Sequence, residues 1–263
     1  MNHARIKLIG ASARGFTMIE LMVTIGLIGV LLSITLPALR STRDAGREIV
    51  CVANLKGLGL TMQAYTQSHH GRYPFVPNDE DLKYTSDGVT FYPASPDGDR
   101  SFGVTMSTWG LRSGWPRLMH KVAPWREHFD SWVCPGAERG PGGPWDGTGV
   151  SVGFGHSSYA YSTSFVASPS LWSGHSQADE SLIRPILISE VTHPSNKVLM
   201  WDDEMAHLSA RSSSALDHRP MLFADGHAAV MRLSDATEPV ANPFTGASER
   251  LADTPFGVDG ADY

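Results

Sequence analysis

The chain has 263 residues, 41% of them hydrophobic, and a formal net charge of −6 at pH 7. An acidic protein lacks the surplus of Lys and Arg that phosphate contacts demand, which excludes nucleic acid as an expected partner. The length suffices for a long helix and one domain of ordinary size, and the 2 cysteines leave room for one disulfide at most.

Residues 1–15 form a basic leader (Arg5, Lys7, Arg14) that ends in Gly15. The apolar run from Phe16 to Leu39 carries Glu20 as its only formal charge. It reads as a transmembrane helix over 16–39, since roughly 20 apolar residues span a bilayer. The positive-inside rule puts the basic leader on the cytoplasmic side of an inner (cytoplasmic) membrane and the body outside the cytoplasm. A carboxylate in such a run costs about 2.5–3.5 kcal/mol on insertion scales, so it calls for a partner or a task. A cut after Gly15 supplies the partner by giving Phe16 a free amine. Glu20 lies four residues on, one turn away on the same helix face, near the positive end of the helix dipole. A buried acid beside an amine is far cheaper than a buried acid alone. Removing the leader takes Lys+Arg from 21 to 18 and the net charge from −6 to −9.

The run Phe16-Thr17-Met18-Ile19-Glu20-Leu21-Met22 behind Gly15 resembles the signal of type IV pilins and type II secretion pseudopilins. Pro37 falls where many pilins carry a helix-kinking proline. The resemblance implies cleavage after Gly15 by a prepilin peptidase, methylation of the Phe16 amine by the same enzyme, and a role for Glu20 in neutralising a neighbouring subunit's terminal amine during filament assembly. Its implied partners are the peptidase/methyltransferase, other pilin-like subunits and the inner membrane. An ordinary secretory signal has an apolar region of roughly 7–15 residues and a small-residue cleavage site. A plain anchor explains the length of this run but not Gly-Phe-x-x-x-Glu at its border.

Beyond the membrane the helix continues over 40–68. Ile49, Val52, Leu55, Leu58, Met62 and Tyr65 step by three and four and make one apolar stripe. Pro37 should bend or locally break the helix. Gly57 and Gly59 weaken it by about 1 kcal/mol each and would permit close approach of the body. His70-Gly71 and Tyr73-Pro74 supply the stop. Residues 71–150 read as a loop-rich insertion, with turn signals at Asp87-Gly88, Asp97-Gly98 and Asp146-Gly147, tryptophans from Trp109 to Trp145 and a short helix around Pro116–His120. Ser158–Phe165 alternates like a strand, and Lys197–Trp201 reads as a short buried one. Met221–Ala224 and His227–Leu233 flank Asp225-Gly226 as a hairpin. The expected fold class is α+β: the helix packed on a small antiparallel sheet, pilin-like, with the body over 69–235. Residues 236–263 read as a flexible acidic tail.

A second resemblance covers the body. Cys51-Val52-Ala53-Asn54-Leu55-Lys56, Gly71-Arg72-Tyr73-Pro74, Cys134-Pro135, Ser158-Tyr159, Pro194-Ser195 with Trp201-Asp202, and Leu222-Phe223-Ala224-Asp225-Gly226-His227 follow one another in the order seen in a large bacterial family. That family joins a pilin-type signal to a domain with a terminal H-x9-D-G motif. Here six residues, not nine, separate His218 from Asp225.

Chemistry-bearing candidates are sparse. Cys51 on the helix and Cys134 in a loop are either a disulfide or two small packing residues. Asp202, Asp203, His218 and Asp225, with Glu204, His207 and His227 nearby in sequence, offer donors for a divalent cation, Ca²⁺ or Zn²⁺, where the strand end meets the hairpin turn. Pseudopilins resemble this in holding calcium near the C-terminal sheet, which makes Ca²⁺ the expected cofactor if one binds. A solvated acidic loop explains the same residues. The Trp-rich insertion is either a groove for carbohydrate or peptide or simply packing. No catalytic set is complete, so the expected function is that of a structural subunit, with a membrane-anchored ligand-binding module as the alternative.

Overall fold

The computed structural model describes residues 16–75, 84–86, 89–91, 115–117, 119, 122–123, 125–137, 157–175, 177–209, 211–244 and 246–263. The leader with Gly15, the turn signals in the insertion, Trp109 and Trp145 lie outside the described residues. The chain divides into two compact units, Met1–Arg43 and Asp44–Tyr263.

The long helix, α1, runs from Met18 to Ser68. Pro37 lies inside it without ending it, contrary to a local break. In the first unit the apolar side chains are exposed, from Phe16 at 73% to Leu39 at 67%. The helix stops where expected: His70 and Gly71 take positive φ, and the Gly71 N–H donates to the Thr66 carbonyl at 2.7 Å.

In the second unit, α1 buries Cys51, Leu55, Leu58, Gly59, Met62, Tyr65 and Thr66. The stripe thus begins at Cys51 rather than at Ile49, which is 69% exposed. Gly59 does permit close approach: an added Cβ would meet Leu222 Cδ1 at 3.0 Å and the Gly226 carbonyl at 3.6 Å, whereas nothing lies within 4 Å at Gly57.

The sheet facing this stripe is an antiparallel meander of β3 (Tyr159–Tyr161), β4 (Val198–Asp202), β5 (His218–Phe223) and β6 (Ala228–Arg232). A separate two-stranded ladder pairs β1 (Tyr84–Ser86) with β2 (Val89–Phe91). The expected hairpin is present, with its Asp225-Gly226 turn closed by the Gly226 N–H on the Phe223 carbonyl. The expected strand at Ser158–Phe165 is shorter. After Tyr161 the backbone turns into a 3₁₀ segment, Thr163–Phe165, capped by the Ser162 hydroxyl. Two short α-helices, α2 (Trp125–Trp132) and α3 (Ser213–Asp217), and several 3₁₀ turns connect these elements. Of the expected helix around Pro116–His120, the described residues show a 3₁₀ turn at Trp115–Arg117; Leu118 and His120 lie outside them.

Both faces of the sheet are covered. Tyr159, Tyr161, Leu199, Met200 and Leu222 join the α1 stripe in one apolar core, while Ala160, Val198, Trp201, Met221 and Phe223 join Leu251 and Ala252 in a second. Side chains alternate between the cores along β3 and β5, as the strand period dictates. In β4 adjacent Leu199 and Met200 share a core because the pairing register shifts between Val198 and Met200.

The second core corrects the reading of residues 236–263 as a flexible tail. Leu251, Ala252, Thr254, Val258 and Asp262 are buried. The Ser162, Thr163 and Ser164 hydroxyls donate to the Leu251 and Ala252 carbonyls at 2.6–2.9 Å. The Asp262 carboxylate accepts from the Val198 N–H at 2.7 Å and pairs with buried Lys197 at 3.4 Å. Polar composition suggested looseness, but the second sheet face needs a cover, and this segment provides it.

Candidate functional site

Among the described residues two constellations carry chemistry, one in each unit. The first is the start of α1. The Thr17 N–H and hydroxyl donate to Glu20 Oε2 at 2.9 and 2.8 Å, and the Glu20 N–H donates back to Thr17 Oγ1 at 3.2 Å. This is a capping box: a hydroxyl residue and an acid three positions later satisfy each other's backbone donors. The Thr-x-x-Glu spacing is legible in the sequence, and it adds a capping role to the assembly role expected of Glu20. Among the described residues α1 is the one helix long and apolar enough to cross a membrane.

The second constellation is buried in the sheet unit and joins four distant parts of the chain. Cys51 comes from α1, and Asp202 ends β4. Cys134 follows α2, whose last residue is tied to β3: the Ser158 N–H and Ser157 hydroxyl donate to the Trp132 carbonyl at 3.2 and 2.9 Å. Trp132 and Trp115 pack with ring centroids 5.0 Å apart, and the Trp115 indole donates to the Tyr159 carbonyl at 2.7 Å. His207 lies on the loop after β4. Met205 in this loop has φ 52, and its N–H donates to Asp202 Oδ1 at 2.9 Å. Ser209 then fastens the loop to α1 through Asp44, with its N–H and hydroxyl at 2.9 and 2.6 Å.

These supports bring the side chains into one cluster. The sulfurs of Cys51 and Cys134, both free thiols, lie 3.1 Å apart. His207 Nδ1 lies 3.5 Å from Cys51 Sγ, 3.2 Å from Cys134 Sγ and 3.1 Å from Asp202 Oδ2. Asp202 and His207 are both fully buried. Burial opposes a charge on His207, but hydrogen bonds to Asp202 and Cys134 raise its pKa to about 9. Contact with Cys51, together with burial, pushes the Cys134 thiol far above its ordinary value. His207 Nε2 is buried without a hydrogen-bond partner among the described residues.

Residues 10–36 match the family model for the prokaryotic N-terminal methylation motif. That span contains Gly15, Phe16, Thr17 and Glu20, so it coincides with the first constellation. The chain carries a prepilin-type methylation motif. No curated protein and no solved structure matches the chain. The prepilin-type motif ends inside α1, and the likeness of the sheet unit to the H-x9-D-G family stands on the order of its motifs alone.

The other sequence candidates do not converge. Asp203 pairs with Arg219 at 3.3 Å. His218 opens β5, where its ring contacts the Ser214 carbonyl and Arg232. Asp225 caps the hairpin turn and contacts His227 at 2.6 Å. Because β4 and β5 run antiparallel with Val198 opposite Phe223, Asp202 sits at the end of β4 remote from Asp225. The set Asp202, Asp203, His218 and Asp225 therefore does not form one site. Asp202 instead meets the two cysteines and His207, a grouping hidden from sequence because Cys51 and Asp202 are brought together only by the fold.

Proposed function

We propose that this protein is a pilin-like structural subunit that is cut after Gly15, methylated on the Phe16 amine and assembled through α1 into a pseudopilus or pilus-like filament. The observation that carries the reading is the coincidence of the matched motif at residues 10–36 with an apolar helix bearing one carboxylate. The exposed apolar residues from Phe16 to Leu39 suit lipid before assembly and neighbouring helices after it. The Glu20 carboxylate would leave its own capping box, or share it, to meet the terminal amine of the next subunit. Prepilin peptidase and other pilin-like subunits are then its partners, and the sheet unit lies outside the cytoplasm.

The test is expression with and without a prepilin peptidase. With the peptidase the chain should shorten by residues 1–15 and enter a shearable filament fraction. A processed chain that stays monomeric in the membrane would favour an anchored binding module instead.

A further inference from the structure

We infer that Cys51, Cys134, Asp202 and His207 form a buried structural site for one divalent zinc-like cation. Their ligand atoms all lie within 4.8 Å of one another, and all four residues are buried. Bond lengths of 2.0–2.3 Å in a tetrahedron set ligand–ligand edges of about 3.3–3.8 Å. The separations of 3.1–3.5 Å from His207 Nδ1 to its three neighbours sit near those edges, while the sulfurs, 3.1 Å apart, must part by roughly 0.6 Å to reach the edge that two 2.3 Å metal–sulfur bonds set. Two sulfurs, one imidazole and one carboxylate are a soft-to-borderline donor set, which suits Zn²⁺ better than Ca²⁺ or Mg²⁺.

The surroundings fit a built site. The Asp202 oxygen not facing the cluster accepts the Met205 N–H, leaving Oδ2 for the ion. Such outer contacts fix ligand orientation in metal centres. The backbone also makes room. Gly136, two residues after Cys134, has φ 105, and an added Cβ would lie 2.6 Å from the Ala206 carbonyl. Only glycine allows the Cys134 and His207 loops to approach this closely. A disulfide would engage the two sulfurs alone and leave Asp202 and His207 to pair with each other. A cation uses all four groups and offsets the charge of two thiolates and a carboxylate in the interior.

The binding step is ligand exchange with proton release. The two cysteine thiols and the Nδ1–H of the His207 imidazolium lose their protons to solvent as the sulfur–metal and nitrogen–metal bonds form, the imidazole keeps its other proton on Nε2, and bound waters leave the ion. No redox change occurs.

The experiment uses the full chain, purified in detergent without chelator or reductant, and measures zinc content, thiol state and thermal midpoint. The expected result is one zinc per chain, thiols that alkylate only after denaturation with chelator, and a midpoint lowered by chelator but not by reductant. Cobalt loading should give a thiolate-to-metal charge-transfer band and tetrahedral d–d absorption. Asp202→Asn and Cys134→Ser should lose stoichiometric zinc and the chelator response. Where those variants fail to fold, the cobalt spectrum of the unmodified chain decides. A Cys51–Cys134 disulfide, with a midpoint that responds to reductant alone, overturns the inference. Two free thiols with no bound metal and no cobalt spectrum overturn it equally.

Discussion

The Glu20 carboxylate accepts from both the N–H and the hydroxyl of Thr17, and a glutamine side chain can accept the same bonds. Glu20→Gln therefore keeps the capping box and removes the charge, while Glu20→Leu removes both. Both variants should insert in the membrane. Loss of the cap costs about 1 kcal/mol of local helix stability, whereas loss of the charge should abolish filament recovery in each. Sheared-filament yield, with membrane-fraction immunoblots as the control, reads the difference. Filaments from Glu20→Gln at normal yield would show that capping, not charge, is what the residue supplies.

Gly136 and Asp253 give two further tests at this scale. Gly136→Ala places a Cβ against the Ala206 carbonyl in a backbone with φ 105. The conformation alone costs about 1–3 kcal/mol, so the urea midpoint of the variant should fall well below that of the parent. Burial pushes the Asp253 carboxyl up to about 6, and nearby Glu249 pushes in the same direction, against hydrogen bonds from the Glu249 N–H, Asn242 and Thr163. An unfolded Asp titrates near 3.9. Between those values the folded state holds a proton that the unfolded state releases. Its contribution to stability is therefore complete below about pH 4 and lost as the pH rises through about 6, by roughly 3 kcal/mol. Asp253→Asn should remove this slope, measured as the difference in thermal midpoint between the variant and the parent at acidic and neutral pH.

At the level of elements, the parts with strong local signals were legible. The apolar run, the stripe from Leu55 to Tyr65, the His70-Gly71 stop and the Asp225-Gly226 hairpin follow from periodicity and turn chemistry, and each lies where those rules put it. Elements set by tertiary contact were not. The stripe's true start at Cys51 depends on what it faces. The register shift in β4 is invisible in Val198-Leu199-Met200-Trp201, which reads as a uniform apolar run. Residues 236–263 look loose because their burial comes from hydroxyl–carbonyl bonds and an ion pair rather than from apolar runs. Asp262→Ala removes the partner of fully buried Lys197 and the acceptor of the Val198 N–H. Breaking a buried pair from one side costs about 3–5 kcal/mol, so this change near the C-terminus should destabilise the sheet unit as strongly as a core truncation. Chemical denaturation of Asp262→Ala beside Leu58→Ala, which should lose about 2–5 kcal/mol, makes the comparison. A flexible tail would leave Asp262→Ala unchanged.

For the molecule as a whole, the N-terminal signal is readable because its chemistry is local: a glycine, an aromatic residue and an acid within a few positions at a membrane border. The buried cluster is the opposite case. Cys51, Cys134, Asp202 and His207 gain meaning only when α1, the segment after α2 and the β4 loop are packed together. From sequence, Asp202 and His207 stand among candidate metal donors, while Cys51 and Cys134 stand apart as a disulfide or two packing residues. The functional account rests on the first of these constellations, in which removal of the leader creates the amine that Glu20 meets. The most direct measurement is the intact mass and N-terminal fragmentation of the chain recovered from membranes of peptidase-bearing cells. The account predicts a chain that begins at Phe16 and carries one added methyl group on its terminal amine. A chain that still begins at Met1, or one cut elsewhere in the apolar run, would contradict it.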